Sequence, residues 1–140
     1  MISVIITGHG EFATGLLSAL QLVAGEQGQV KAVNFPEGAG SEDLQRALSG
    51  AAAQLGDSEI VFLADIAGGS PYNQAVMLSK KLKQECRVFS GTNMPLLLSV
   101  IFDREGLLAD LCLRWLGAGV QPAIFREKKK IDKSMQAGGI

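Results

Sequence analysis

The chain has little of the chemistry that would hold a metal, a disulfide or a membrane span. Its 140 residues include two cysteines and one histidine. Cys86 and Cys112 form no C-x-x-C pair, so the sequence predicts packed, reduced thiols rather than a zinc site or a disulfide framework. The longest nearly unbroken apolar stretch, residues 94–102, is far shorter than the about 20 residues needed to cross a bilayer. No basic segment precedes the first apolar run. We therefore expect a cytoplasmic protein without a metal or an organic cofactor.

Charge is nearly balanced overall and is concentrated only near the end of the chain. The net charge is −1, which argues against a nucleic-acid-binding protein because such binding needs a basic face. From Arg126 to Lys133 there are five basic and two acidic residues. The sequence predicts one domain over residues 1–125, which the length allows, and a charged, flexible tail over residues 126–140.

Strand-like and helix-like segments alternate along the chain, which predicts an α/β fold. The strands are predicted at residues 2–6, 30–35, 60–64, 87–90 and 120–125, and the helices at 12–23, 41–55, 71–84, 95–102 and 105–116. The third strand is continuously apolar, so it should lie centrally. We expect a doubly wound, mainly parallel sheet of order 2-1-3-4 with helices on both faces. A C-terminal strand is the candidate antiparallel edge strand, because Pro122 removes a ladder donor.

Two details of the helices are specific enough to test. Ser41 is predicted to cap the second helix. The spacing of apolar residues in the first helix predicts a core-facing stripe of Phe12, Leu16, Leu20 and Val23.

Three predicted strands end in polar, glycine-rich loops, at residues 8–10, 65–70 and 91–93. In a doubly wound sheet the first and third strands are neighbours where the winding reverses, so His9 and Asp65 should face each other across one crevice. When Asp65 accepts the hydrogen of one ring nitrogen, the other nitrogen becomes a fixed nucleophile. The carboxylate also stabilises positive charge that develops on the ring. The sequence therefore predicts chemistry at His9.

An anion site is predicted opposite this histidine. Gly68, Gly69, Ser70 and Pro71 have the order of a helix start, with flexible glycines, a serine cap and a proline in the first turn. The backbone N–H groups and the positive dipole end of such a helix suit a phosphoryl group. The Ser70 hydroxyl either caps the helix or contacts that anion.

The segments Val4–Leu17, Asp65–Asn73 and Ser90–Leu96 follow one another at characteristic intervals. They resemble the signature segments of the mannose-family IIA components of the bacterial phosphoenolpyruvate-dependent sugar phosphotransferase system. The resemblance covers about residues 1–117. It implies that His9 accepts a phosphoryl group from phospho-HPr and passes it to a IIB component, which phosphorylates a sugar entering through the membrane IIC and IID subunits. It also implies that Asp65 orients the imidazole and that Ser70 contacts the phosphoryl group.

The resemblance further implies a homodimer with an exchanged C-terminal strand, for which Val120–Arg126 is the candidate. Amino-sugar systems such as that for N-acetylgalactosamine look more similar than mannose systems. The chain departs from the family pattern in two ways. Many relatives have a Thr-His pair, whereas Gly8 here separates Thr7 from His9. No linker or IIB domain follows Gly117, so the acceptor is expected to be another chain.

Two other functions stay open at this point. A phosphocarrier serving dihydroxyacetone kinase shares this architecture and a histidine after the first strand, although the segment from Gly68 to Asn73 favours the sugar system. A serine hydrolase would use Ser70 as nucleophile with His9 and Asp65 as helpers, but no G-x-S-x-G elbow is present. A nucleotide-binding module is disfavoured because the chain lacks the phosphate-binding motifs G-x-x-x-x-G-K-[ST] and G-x-G-x-x-G.

Overall fold

The computed structural model describes residues 1–116 and 124–126. The strands are Ser3–His9 (β1), Val30–Phe35 (β2), Ile60–Ala64 (β3), Cys86–Phe89 (β4) and Ile124–Arg126 (β5). The helices are Phe12–Ala24 (α1), Ser41–Gln54 (α2), Ser70–Lys81 (α3), Met94–Phe102 (α4) and Leu108–Leu116 (α5).

The sheet order is β2-β1-β3-β4-β5, which confirms the predicted doubly wound architecture. Strands β1 to β4 run parallel, and β5 pairs antiparallel with β4 at the edge of the sheet. Every residue of β3 is fully buried, as expected for a central strand covered on both faces. The carboxyl ends of β1 and β3 are therefore neighbours, and this adjacency positions the site.

Each face of the sheet packs against its own set of helices. Alternation along β1 sends Val4 and Ile6 into the core formed with α1, α4 and α5, while Ile5 enters the core formed with α2 and α3. Full burial of an aliphatic side chain of this size contributes about 1.5–3 kcal/mol. The two cores together hold the central strands rigid beneath the loops.

Several helix ends differ from the prediction. The cap of α2 is Gly40 rather than Ser41. The Asp43 Oδ2 atom accepts the Gly40 N–H at 2.9 Å, and Ser41 is the first helical residue. Helix α3 ends at Lys81 rather than near residue 84. Helix α5 begins at Leu108, whose N–H donates to Glu59 Oε1 at 3.1 Å, and not at residue 105.

The first helix buries the predicted stripe except at its last position. Leu20 is fully buried, and Phe12 and Leu16 pack against the same core. Val23 is 64% exposed, so the prediction is wrong there, and the next residue, Ala24, packs inward in its place. The first strand also runs on through His9 rather than ending near Ile6.

One buried arginine links the loops at the amino edge of the sheet. Arg104 is 4% exposed. Its guanidinium donates to the backbone carbonyls of Ile2, Gly28 and Gln29 at 2.8–3.3 Å. These bonds tie the start of β1 to the loop before β2, at the end of the molecule opposite His9.

The predicted C-terminal strand lies only partly within the residues that the structure describes. Residues 124–126 form the antiparallel edge strand, while residues 117–123, including Pro122, and the tail from 127 to 140 lie outside the described residues. Within the described ranges, no helix is long and apolar enough to span a membrane.

Candidate functional site

His9 is the last residue of β1, and its side chain is 47% exposed. The ring Nδ1 atom lies 2.8 Å from Asp65 Oδ2, and the backbone N–H of His9 donates to the same oxygen at 2.8 Å. The predicted pair is therefore in direct contact. Because one carboxylate oxygen binds both the ring and the strand, the imidazole orientation is fixed relative to the sheet.

Asp65 is also fixed by a hydrogen bond of its own. Its second oxygen, Oδ1, accepts the Ile66 N–H at 2.8 Å, and its side chain is 12% exposed. Burial by itself raises the pKa of Asp65, but the hydrogen bonds from His9 and Ile66, together with the charge of His9, outweigh it and leave that pKa below its usual value. The carboxylate is therefore ionised at neutral pH.

The ionisation of Asp65 determines which ring nitrogen carries the hydrogen. An ionised carboxylate is only an acceptor, so the Nδ1 atom of His9 must be the donor in their 2.8 Å contact. In the neutral ring the Nε2 atom then keeps its lone pair. The geometry leaves Nε2 as the nucleophilic atom.

Two neighbours define the space around the imidazole. The Phe35 ring packs against it edge to face, with the centroids 5.8 Å apart. A Cβ atom added at Gly69 would lie 2.7 Å from His9 Cε1 and 3.4 Å from Nε2. Glycine is therefore required at position 69 for the helix start to approach the Nε2 edge of the ring.

The start of α3 lies at this edge, but Ser70 does not cap it. Gly69 is the N-cap residue, Ser70 is the first helical residue, and no side chain caps the helix. The prediction that Ser70 serves as the cap is therefore wrong. The side chain of Asn73 instead donates to the Gly68 carbonyl at 3.0 Å, and its backbone N–H donates to the Gly69 carbonyl at 2.9 Å. Sequence reasoning did not identify this bracing role of Asn73.

Gly8 allows close packing on the other side of the carboxylate. A Cβ atom at this position would lie 2.5 Å from Phe12 Cδ2 and 3.0 Å from Asp65 Cγ. Thr7, the preceding residue, is fully buried, and its hydroxyl has no hydrogen-bond partner among the residues that the structure describes. The glycine that separates Thr7 from His9 therefore has a steric function.

The third loop, residues 91–93, supports the site through a backbone hydrogen bond. The Gly91 N–H donates to the Asp65 backbone carbonyl at 2.8 Å. The Asn93 side chain caps α4 by accepting the Leu96 N–H at 2.9 Å. This loop therefore fixes the backbone of Asp65 from behind.

Residues 3–114 match the family model EIIA-man, described as the PTS system fructose IIA component. The chain belongs to this family. It is 40% identical over 113 residues to the PTS system fructose-specific EIIA component of Bacillus subtilis, covering 79% of this chain and 77% of the relative. It is 34% identical over 113 residues to the sorbose-specific EIIA component of Klebsiella pneumoniae, covering 80% of this chain and 82% of the relative.

A solved structure supports the same assignment. The crystal structure of the phosphotransferase system component EIIA from Streptococcus agalactiae is 34% identical to this chain, with a TM-score of 0.79, and the match covers 84% of this chain and 92% of that one. The predicted resemblance to the mannose-family IIA components is confirmed. As a member of this family the chain has a phosphocarrier role in a sugar phosphotransferase system. The preference for amino sugars stays a prediction.

Proposed function

We propose that this IIA component carries the phosphoryl group on the Nε2 atom of His9. The observation that carries the proposal is the 2.8 Å contact between His9 Nδ1 and Asp65 Oδ2. Because this contact occupies Nδ1, it leaves Nε2 of the partly exposed ring as the nucleophilic atom. The donor is phospho-HPr, and the acceptor is a separate IIB component, which serves sugar uptake through the membrane IIC and IID subunits.

The transfer step needs no metal and no organic cofactor. The Nε2 lone pair of His9 attacks the phosphorus atom of phospho-HPr, the phosphorus–nitrogen bond of the donor breaks, and the leaving electron pair returns to the donor imidazole. During the reaction the ring of His9 becomes positively charged, and Asp65 stabilises this charge while keeping the Nδ1 hydrogen in place. In the transfer to IIB, His9 is the donor. The bond between Nε2 and phosphorus breaks, its electron pair returns to the imidazole, and the phosphoryl group passes to the IIB component.

The helix start next to the ring is the proposed cradle for the phosphoryl oxygens. Pro71 has no N–H, so the backbone N–H groups of Ser70 and Tyr72 are the ones that the first turn of α3 can offer. Their position at the positive end of the helix dipole favours an anion. The Ser70 hydroxyl, which does not cap the helix, is the proposed side-chain contact, and Gly68 and Gly69 permit the close approach.

Mapping of the modified residue tests this function. We expect incubation with labelled phosphoenolpyruvate, enzyme I and HPr to label the protein at His9. The label should be lost in acid and kept in base, as an N-linked phosphoryl group is. The variant His9→Ala should take up none. Label that persists in His9→Ala would remove the proposed mechanism.

The family assignment favours this function over the two alternatives. A serine hydrolase would depend on Ser70 as nucleophile, whereas the family is one of IIA phosphocarriers. Acylation of Ser70 by an activated ester would revive the hydrolase. For the dihydroxyacetone kinase carrier, the deciding result would be phosphoryl exchange with the purified kinase in place of IIB.

A further inference from the structure

The amino edge of the sheet, opposite His9, has exposed apolar side chains that the phosphoryl site does not use. They lie at the start of β1, in the last turns of α1 and α4 and in the loop before α5: Met1, Leu22, Val23, Phe102 and Leu107. The other large hydrophobic residues exposed in the described part of the chain are Ile66, at the opposite edge, and Met77, within α3. Exposed apolar groups therefore gather at the end of the molecule that is remote from the imidazole.

Hydrogen bonds around Arg104 bring these segments together. The Arg104 backbone carbonyl accepts the Ile2 N–H at 2.8 Å, and its guanidinium donates to the Gly28 carbonyl at 2.8 Å. The Leu108 N–H donates to Glu59 Oε1, in the loop before β3, at 3.1 Å. The ends of α1 and α4, the start of β1 and the loop before α5 therefore share one surface. A shared surface with exposed apolar groups is typical of an interaction site.

The loops of this amino edge are acidic. They comprise residues 25–29, 55–59, 82–85 and 103–107. They contain six carboxylates and two cations, and one of the cations, Arg104, is buried. The exposed carboxylates of Glu26, Asp57 and Glu105 form no ion pair with the described residues. An occupant of this surface must therefore be basic and must also carry an apolar side chain, whereas the same edge of a second copy would be repelled.

The chain itself brings a basic segment to this edge. Strand β5 runs antiparallel to β4, and its last residue, Arg126, pairs with Arg87 near the start of β4. The chain therefore leaves the sheet at its amino edge. From Arg126 to Lys133 there are five basic and two acidic residues, with Ile131 among them. Neighbouring strands lie about 4.8 Å apart, so β1 is about 14 Å from β5, a distance that about four or five extended residues span.

We propose that residues 127–133 dock on the amino edge of their own chain. The lysines at positions 128–130 contact the carboxylates of the edge, and Ile131 covers the apolar side chains at the start of β1 and the end of α4. The tether gives this segment an effective concentration on the order of 1 mM, so weak contacts are enough to hold it. Docking also secures β5, which has three residues and gains little stability from so short a ladder.

Trypsin cleavage after the lysines at positions 128–130 measures the docking, because cleavage tracks the population of the undocked segment. A synthetic peptide of residues 124–140 supplies the cleavage rate of the free segment under each condition. At about 0.05 M salt the full chain should be cut about tenfold more slowly than the peptide. This protection should shrink to about twofold or less near about 0.5 M salt, where screening is strong. Equal rates for chain and peptide at low salt would overturn the proposal.

A matched pair of double variants tests the acidic surface. Glu26→Gln with Glu105→Gln removes two exposed charges at the amino edge, and Glu11→Gln with Glu37→Gln removes two exposed charges at the opposite edge. Only the first pair should speed cleavage at low salt, by about threefold. Equal effects of the two pairs would contradict docking at the amino edge, because net charge alone would then control cleavage.

A second matched pair tests the apolar contact. Ile131→Ser lies within the docking segment, and Ile140→Ser lies outside it. Each variant is compared with a peptide of the same altered sequence, which removes the effect of the substitution on trypsin itself. Ile131→Ser should lose about threefold of the protection, whereas Ile140→Ser should keep it. The same loss in both variants would argue against a contact centred on Ile131.

Carbodiimide cross-linking identifies the chain that supplies the segment, since this reagent joins lysines to carboxylates in direct contact. Isotope-labelled and unlabelled chains are refolded together from urea before the reaction. Cross-links from the lysines at positions 128–130 to Glu26 or Glu105 within one chain would support the proposal. Cross-links that join a labelled chain to an unlabelled one would assign the segment to a second copy and would overturn docking within the chain.

Discussion

Replacement of Asp65 by asparagine should slow phosphoryl transfer without unfolding the protein. The carboxylate accepts three N–H groups, two on Oδ2 and one on Oδ1. An asparagine has one acceptor oxygen and one NH2 group. If the oxygen faces His9, the NH2 group opposes the Ile66 N–H, and if it faces Ile66, both His9 donors lose their acceptor. The variant Asp65→Asn must therefore lose at least one bond and the negative charge.

The size of the effect follows from these lost interactions. A hydrogen bond to a charged group contributes about 1.5–3 kcal/mol, and the charge of Asp65 matters most when the ring becomes positive. A loss of about 2–3 kcal/mol from the transition state corresponds to transfer slowed about 30- to 150-fold. Rapid-quench transfer from phospho-HPr measures this rate. Asp57→Asn, at an exposed position, is the matched control and should transfer at the wild-type rate.

The ring itself reports the cause of the slower transfer. The chain has one histidine, so the imidazole nitrogen resonances in an NMR spectrum belong to His9 without assignment. We expect the neutral wild-type ring to carry its hydrogen on Nδ1 and the Asp65→Asn ring to show a mixture of the two tautomers. Transfer within threefold of the wild type, with an unchanged tautomer, would refute the orienting role of the carboxylate.

Stability should depend on pH through the same carboxylate. Because the folded state lowers the pKa of Asp65 below its unfolded value of about 4, folding favours the ionised form. This stabilisation is fully present above the unfolded pKa and is lost as the pH falls through the folded pKa. The stability difference between wild type and Asp65→Asn, measured by urea unfolding, should be largest near about pH 7 and should shrink below about pH 4. A difference that grows on acidification would contradict this assignment.

Three further predictions concern packing and reactivity. Gly69→Ala should fold, since the residue has a φ of −77° that alanine adopts without strain. It should accept phosphoryl groups at least about tenfold more slowly, because the added methyl group meets the imidazole. The control Gly15→Ala, where an added Cβ meets nothing within 4 Å, should transfer at the wild-type rate in the same assay. Arg104→Ala should lower the free energy of unfolding in urea by about 3 kcal/mol, since it removes the charged hydrogen bonds that the buried guanidinium donates to the Ile2 and Gly28 carbonyls. Arg46→Ala, at a side chain that is 71% exposed, should cost under about 0.5 kcal/mol. Equal losses would refute the role of burial. Burial raises the pKa of the Cys86 thiol to about 12. Iodoacetamide at about pH 8 should therefore modify Cys86 in the urea-unfolded protein and not in the native protein. Rapid modification of the native protein would disprove the shielding of this thiol.

Sequence reasoning predicts the sheet order and the meeting of His9 with Asp65 because both follow from regular patterns. The continuous apolar run of β3 identifies the central strand, and parallel neighbours bring their carboxyl ends together. Asp65 directly follows that strand. The site pair is therefore a consequence of topology, which periodicity alone can indicate.

The details of the site depend on tertiary packing that no local pattern encodes. The cap of α2 is Gly40, whose N–H is accepted by Asp43 three residues later, and this bond is visible only once the turn before the helix is placed. The contact of Phe35 with the imidazole depends on the register of β2 against β1. The steric need for glycine at position 8 is visible only once Phe12 and Asp65 are placed around it.

The shared acceptor oxygen of Asp65 has a consequence for how this protein can diversify. Since the backbone N–H of β1 and the imidazole bind the same atom, the aim of the nucleophile is set by the end of β1 together with the turn that follows β3. Exposed side chains of the other loops, such as Glu37, can then change without disturbing the reactive nitrogen. The geometry of the reaction is thereby tied to the two central strands and the turn after β3.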